Sequence, residues 1–378
     1  MALDFVFSNQ KLQFADQRSA PLHNNWQAGI EVLRGVAAMS VVLFHCIGLL
    51  PWNVSGTPFS IFGVGWIGVD LFFAISGYVI TASAIRQKDR PDYTAYFWRA
   101  RLARILPLYY FTTAVFLLAV SSAALDKDAP LQILSHLFLI HNVFPNAAFS
   151  INGVTWSLSV ELQFYVLAFF IVPLIARSGR ATLIAGYLAL FGSVLAYRFA
   201  SWCWLTKTGA SDDAFIHLFS QVPALIDSFA LGGLICMLKL PCLTRAQNVL
   251  LAFLAFSLLM AIYFIYDANA ARYWTSLSMT VLFRSLVALF TGAALLLAMS
   301  IRMSLLWRPM LELGKISYGI YLWHLIVLYL VQRHVPFKGT AAVLTIIALT
   351  LVLAKLSHLA IEMPFMRWAH NVRRMPTS

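Results

Sequence analysis

The chain has 378 residues, of which 61% are hydrophobic and only 11% are charged. A soluble domain carries roughly 25% charged residues, so this composition, with a mean hydropathy of +0.78, excludes a cytosolic enzyme, a disordered chain and a secreted disulfide scaffold. In so apolar a chain, the net charge of +12 points to basic loops retained on the cytoplasmic side of a membrane and not to nucleic acid.

Residues 1–29 are polar and lack the basic-then-apolar pattern of a cleaved signal, so they read as a cytoplasmic tail. Ten apolar runs come next, at 31–50, 62–85, 107–124, 155–176, 182–201, 217–238, 247–266, 277–300, 316–332 and 340–361. About 20 residues at 1.5 Å rise cross a hydrocarbon core of about 30 Å, and each run is of that order. The stretch Leu131–His141 is too short to cross and reads as re-entrant or interfacial. Ten crossings with both termini cytoplasmic leave only Lys127, Arg198, Lys207, Arg272, Arg333 and Lys338 among the basic residues outside. An eleventh crossing at 131–141 would move Arg177 and Arg180 outside and invert every later loop. The predicted fold is therefore an all-α integral membrane bundle of about ten helices plus the short segment. Its parts are a tail at 1–29, one membrane domain at 30–366 and a cytoplasmic tail at 367–378. Cys46, Cys203, Cys236 and Cys242 match no metal-ligand spacing and read as small hydrophobes, and no metal is expected.

Ionisable groups at bilayer depth are costly and are functional candidates for that reason. Arg34 and His45 share the first run; eleven residues apart, they lie on one helix face about 16 Å from each other. Asp70, Glu161 and Arg284 fall in the outer halves of their spans, and Asp227 and His324 near mid-depth. A histidine beside a carboxylate is oriented and made more basic, so His45 with Asp70 reads as a catalytic pair. Ahead of the third span, DYTAYFWRARLARILPLYY (92–110) sets Arg99, Arg101 and Arg104 among aromatic and aliphatic residues. Two readings are open: an interfacial helix anchored to anionic lipid, or a cytoplasmic anion site in which guanidiniums grip phosphates. No Gly-rich phosphate loop, HExxH motif or GxSxG elbow is present.

These residues occur in patterns that resemble the acyltransferase 3 family of integral membrane O-acyltransferases, in its stand-alone form without a C-terminal SGNH domain. GIEVLRGVAAMSVVLFHCIG (29–48) is similar to the family's Arg, ten residues, His signature at Arg34 and His45. GVGWIGVDLFFAISGYVI (63–80) resembles the second-helix motif with Asp70, Ser76, Gly77 and Tyr78, and FWRARLARILPLYY (97–110) resembles the arginine motif. TWSLSVELQFYVL (155–167) looks like the Trp-Ser-Leu…Glu motif with Trp156, Ser157 and Glu161; a second glutamate, frequent at the next position, is Leu162 here. ISYGIYLWH (316–324), with Tyr318 and His324, and IEMP (361–364) resemble the closing motifs.

The resemblance implies transfer of an acyl group, most often acetyl, from cytoplasmic acyl-CoA to a hydroxyl of a cell-surface glycan, lipopolysaccharide, exopolysaccharide or lipid-linked sugar, in a bacterial inner membrane. Acyl-CoA enters as donor substrate, with no permanently bound cofactor. On this reading Arg34, Arg99, Arg101 and Arg104 bind acyl-CoA, while His45, oriented by Asp70, acts as base or acyl carrier and Glu161 positions the acceptor or relays its proton. Ser76, Tyr78, Trp156, Ser157, Arg284, Tyr318 and His324 line the acceptor site or pore. A proton-coupled transporter and a non-catalytic subunit of a polysaccharide export machine are the rival classes, since buried Asp, Glu, His and Arg also mark carriers.

Overall fold

The computed structural model describes residues 25–120, 128–240, 243–300, 307–336 and 338–371. The tail up to residue 24, Lys127, Cys242, Arg302 and the tail from residue 372 lie outside the described residues. Regular structure among the described residues is helical throughout. In chain order it runs α1 (Asn25–Leu49), a 3-10 segment (Pro58–Ile67) leading into α2 (Gly68–Gln87), and α3 (Tyr93–Val115) with a π-helical end (Phe116–Val120). Next come α4 (Ala129–Leu137), α5 (Trp156–Ile175), α6 (Arg180–Thr208), α7 (Asp212–Phe219), α8 (Val222–Leu238) and α9 (Arg245–Asn269). The chain closes with α10 (Phe283–Ser300), α11 (Arg308–Lys315), α12 (Ser317–His334), α13 (Thr340–Ser357), a π turn (His358–Glu362) and α14 (Met363–Asn371).

Among the described residues, nine helices are long and apolar enough to cross a membrane, and α11 with α12, bent by 73°, supplies a tenth. All ten predicted runs overlap these spans, and residues 121–124 of the third run lie outside the described residues. One boundary differs in a way that matters for the site: α3 begins at Tyr93, well ahead of residue 107, so the arginine stretch is the first half of the spanning helix. Pro107 sits inside that helix. A proline at depth is tolerated where neighbouring protein re-satisfies the freed backbone groups.

Without water to drive helices together, membrane helices associate through close backbone contact at small residues. Gly77 of α2 faces the Phe229 backbone of α8, and Gly232 of α8 faces the Ala74 carbonyl of α2, so a Cβ at either position would collide with backbone. Gly65 and Gly68 likewise lie against the Ser40 and Ala37 carbonyls of α1. That contact fixes the register of the second span against the first.

Arg198, expected at the outer edge, is instead turned into the bundle. Its Nη2 lies 2.8 Å from Asp227 Oδ2 and 2.6 Å from the Ala224 carbonyl oxygen, with both side chains almost fully enclosed. The charge is drawn inward because Asp227, on α8, needs a partner at the same depth. Removing one member of a buried pair costs about 3–5 kcal/mol, more than replacing both. Arg198→Met should therefore lower the unfolding temperature in detergent sharply, and adding Asp227→Leu should recover part of the loss; an equal or larger loss in the double variant would contradict the pairing.

The short segment is too brief to span, as its length predicts: α4 and a 3-10 turn at His141–Val143. His136 and His141 stack at 3.9 Å within it, and the Tyr109 hydroxyl of α3 lies 3.0 Å from His136 Nδ1. Burial pushes His136 down to about 4, and burial together with the neighbouring His136 pushes His141 down to about 3. Unfolded histidines take up protons near pH 6.5, so below that pH the unfolded chain binds more protons and stability falls as pH is lowered toward 4. Unfolding temperatures in detergent between pH 7.5 and 4.5 should show this decline, flattened in a His136→Asn, His141→Asn variant; a flat parent profile would contradict it.

Candidate active site

A cavity of about 130 Å³ opens between α1, α2, α3, α5 and α12. Its cationic wall is Arg34 of α1 with Arg101 and Arg104 of α3. Arg101 and Arg104 are three residues apart and share a helix face, whereas Arg99 is half-buried and does not line the cavity. The Arg101 guanidinium lies over the Phe97 ring at 3.4 Å, and its Nη1 donates to the Phe97 carbonyl at 2.7 Å. Its buried Nε has no hydrogen-bond partner among the described residues, a donor left for something that enters the cavity. Arg34 is buried, 3.7 Å from Glu31 of its own helix, in the joint field of Arg104, Glu161 and Glu362.

Glu161 faces this wall from α5. Its Oε1 accepts from Ser76 Oγ of α2 and, at 2.6 Å, from Tyr165 Oη one turn on. The hydroxyls of Ser157 and Tyr321 meet at 2.8 Å, and Tyr318 Oη donates to the Ile105 carbonyl at 2.7 Å, bracing α12 against α3. The cavity thus collects Arg34, Ser76, Arg101, Arg104, Ser157, Glu161 and Tyr318 from the sequence-predicted set.

His45 is half-buried, eleven residues beyond Arg34 on α1 and about 16 Å along its axis. Its Nδ1 lies 3.0 Å from the Val41 carbonyl and 3.2 Å from Nε2 of His324, with the rings 5.0 Å apart. His324 is fully buried and packs against Tyr321, which lines the cavity, so Tyr321 touches both the cavity and the histidine pair.

Asp70 is not brought to His45. Gly68 lies level with Ala37 and α2 runs antiparallel to α1, so Asp70 sits about ten residues, or about 15 Å, below the His45 ring along α1. Being in the first turn of α2 and turned toward α8 and α10, it faces the charges of Arg284, Asp227 and Arg198. Arg284 stands over the Trp66 ring at 5.5 Å and donates to the Phe219 carbonyl at 3.2 Å. Trp156 packs edge-on against Phe73, and Tyr78 joins an apolar cluster with Ile30, Ile75, Ile235 and Leu295. None of these three lines the cavity.

Several site residues escape the sequence reading. Tyr165 and Glu31 stand at i+4 and i−3 from Glu161 and Arg34, spacings that place side chains together on a helix face and could have signalled them. Ser317 and Tyr321 lie within the ISYGIYLWH motif beside residues that were singled out. Only the fold shows that Glu362, 3.4 Å from His358 four residues before it, lies in the field of Arg34.

The acyltransferase-domain family matches residues 27–356, which contain the arginine wall, Glu161 and both histidines. The chain belongs to the acyltransferase 3 family. It is a multi-pass membrane acyltransferase. It is 28% identical over 355 residues to a protein of Komagataeibacter xylinus named as a membrane-bound transacylase, BcsY, covering 89% of this chain and 82% of that one. It is 27% identical over 323 residues to a protein of Acidianus two-tailed virus named as an acetyltransferase, covering 85% and 88%. Against the O-acetyltransferase OatA of Staphylococcus aureus it is 25% identical over 369 residues; the match covers 89% of this acyltransferase and 56% of OatA. No solved structure matches.

Proposed function

We propose that this acyltransferase moves an acetyl group from cytoplasmic acetyl-CoA to a hydroxyl of a cell-surface glycan or lipid-linked sugar, in a bacterial plasma membrane with both termini cytoplasmic. The observation that carries the reading is the arginine wall of the cavity, whose Arg34 is set on the same helix as His45 but about 16 Å from it. Arg101 and Arg104 suit phosphate oxygens, because planar guanidinium grips an anion through paired N–H bonds. Arg34 guides the pantetheine arm beyond the phosphates. A nucleotide would stay at the cytoplasmic mouth, and the slim arm would carry the thioester toward Tyr321 and the histidine pair. The name of OatA, O-acetyltransferase, supports a hydroxyl as the acceptor group.

In the step itself, His45 takes the proton of the acceptor hydroxyl as its oxygen attacks the thioester carbonyl. The C–S bond of the tetrahedral intermediate breaks, and the CoA thiolate leaves with the proton from His45. Glu161, holding Ser76 and Tyr165, offsets the arginine charge and keeps the cavity walls in place. Asp70 contributes through the buried charge cluster with Arg284, Asp227 and Arg198.

The deciding experiment is acceptor-dependent release of CoA thiol by the full chain in nanodiscs given acetyl-CoA and a polysaccharide acceptor. The parent should turn over, and His45→Ala should lose roughly 10²–10⁴-fold, the span general acid–base catalysis supplies. No CoA release by the parent would favour a transporter, and appreciable turnover by folded His45→Ala would remove His45 from the chemistry.

The arginines separate by geometry. Arg101→Lys and Arg104→Lys should each raise KM for acetyl-CoA about tenfold, the equivalent of one charge-assisted hydrogen bond, while Arg99→Lys should change it little. Saturation kinetics in nanodiscs free of anionic lipid measure this; equal effects at all three positions would return the stretch to lipid anchoring.

A further inference from the structure

Among the described residues no carboxylate touches the ring of His45 or of His324; the side chain each ring hydrogen-bonds is the other. Hydrogen-bond accounting then fixes where the protons sit. His324 Nδ1 lies 2.7 Å from the Tyr321 carbonyl oxygen and 3.3 Å from that of Ile320. Carbonyl oxygens only accept, so Nδ1 carries the proton of that ring, and in the neutral ring Nε2 is a bare acceptor. This acceptor lies 3.2 Å from His45 Nδ1, which also faces the Val41 carbonyl at 3.0 Å. Two acceptors aimed at one nitrogen place the His45 proton on Nδ1, and Nε2 of His45 is left with its lone pair free.

We propose that His324 is a positioning residue for His45: a buried, neutral acceptor that, with the Val41 carbonyl, locks His45 in the Nδ1–H tautomer and presents Nε2 as the basic nitrogen. A carboxylate fills this place in serine-hydrolase triads. Here the ring is supplied from the centre of α12, where an unpaired carboxylate at lipid depth would be costly. His324 itself is locked twice. Its Nδ1–H is tied to its own helix, and the ring is wedged against Tyr321, whose hydroxyl donates to the Val154 carbonyl at 2.8 Å. The orientation of the reacting ring therefore depends on the docking of α12 against α1 and the Gly153–Thr155 turn. When His45 takes a second proton during the reaction, Nδ1–H still donates to His324 Nε2, so the imidazolium keeps its acceptor without a rearrangement.

The inference rests on the reading of His45 as the base, and the test separates the two. Two variants are made in the full chain in nanodiscs. His324→Leu keeps bulk and removes the acceptor, and His324→Gln offers Oε1 near the place of Nε2. With acetyl-CoA and the polysaccharide acceptor, His324→Leu should lose about 10- to 100-fold in kcat with KM for acetyl-CoA within about twofold of the parent, and His324→Gln should recover most of kcat. Nitrogen-15 spectra of histidine-labelled protein, assigned by the missing signals of His45→Ala, should show a protonated Nδ1 and bare Nε2 for His45 in the parent. In His324→Leu they should show a mixture of tautomers. Parental kcat in folded His324→Leu, or a His324→Gln no better than Leu, would overturn the proposal. So would a parent spectrum with the His45 proton on Nε2, which decides the matter even if the Leu variant does not fold. If His45→Ala retains turnover, the assignment of the base fails while the tautomer spectrum still reads the role of His324.

Discussion

The bilayer interior offers no water, so every polar group carried into it must find its partner within the protein. That constraint arranges the whole bundle. Arg198 is pulled inward to Asp227, Arg34 is set beside Glu31, and Glu161 is occupied by two hydroxyls. Asp70 is held in the field of Arg284. Each such group lies between helices, and the large hydrophobic residues exposed along α6 and α9, such as Leu188, Phe199, Phe253 and Phe264, face outward instead. Among the described residues the Nε of Arg101, both carboxylate oxygens of Glu31 and one of Glu362 are left without a hydrogen-bond partner, and of these charged groups only Arg101 lines the cavity.

A single rigid helix joins the two ends of the site. Because Arg34 and His45 are on α1, their separation is set by helical rise and not by loop conformation. The glycine contacts at Gly65 and Gly68 hold the second span against α1, and Gly314 of α11 lies against the Glu31 backbone. Those contacts are backbone on backbone, the least deformable packing available, so the distance between the arginine wall and the histidine pair is not readily altered. On the proposed reading, the donor matches this distance with its own length.

Apolar run length places every span in the sequence, because hydrophobic thickness leaves little freedom in how a segment of about 20 residues can cross. Arg34 and Glu161 are also legible as ionisable groups inside apolar runs, and Arg101 and Arg104 as a basic cluster just ahead of one. What the sequence does not reveal is which of them meet. The pairing of His45 with Asp70 rests on depth counted from span ends; the 3-10 segment at Pro58–Ile67, rising about 2.0 Å per residue instead of about 1.5 Å, shifts that count by about 3 Å, and the larger part is set by the packing of Gly65 and Gly68 against Ser40 and Ala37. Together they carry Asp70 below the ring and leave His324 to meet it. The bend between α11 and α12 is equally illegible: residues 308–317 contain no proline near the break at Ile316, yet the axis turns by 73° there. The start of α3 fails for a different reason. Three arginines depress local hydropathy, although the Arg101 side chain runs inward along an aromatic ring and the backbone continues as helix.

The two ends of the site differ in electrostatic character, and on the proposed reading this difference sorts the donor molecule. The cavity end holds three arginines against Glu161 and its neighbours, while at the other end two imidazole rings and helix carbonyls face each other with no carboxylate in contact among the described residues. A phosphate moved from the first environment to the second would lose its guanidinium partners and gain none, a cost of roughly several kcal/mol for an uncompensated charge in a low-dielectric interior. A thioester carries no net charge and crosses the same distance without that penalty. The arrangement would thus hold the anionic part of the donor at one face while admitting its reactive end to the other. In that arrangement a neutral histidine behind His45 is the consistent choice, because it orients the base without placing a fixed charge in the path of the acyl group.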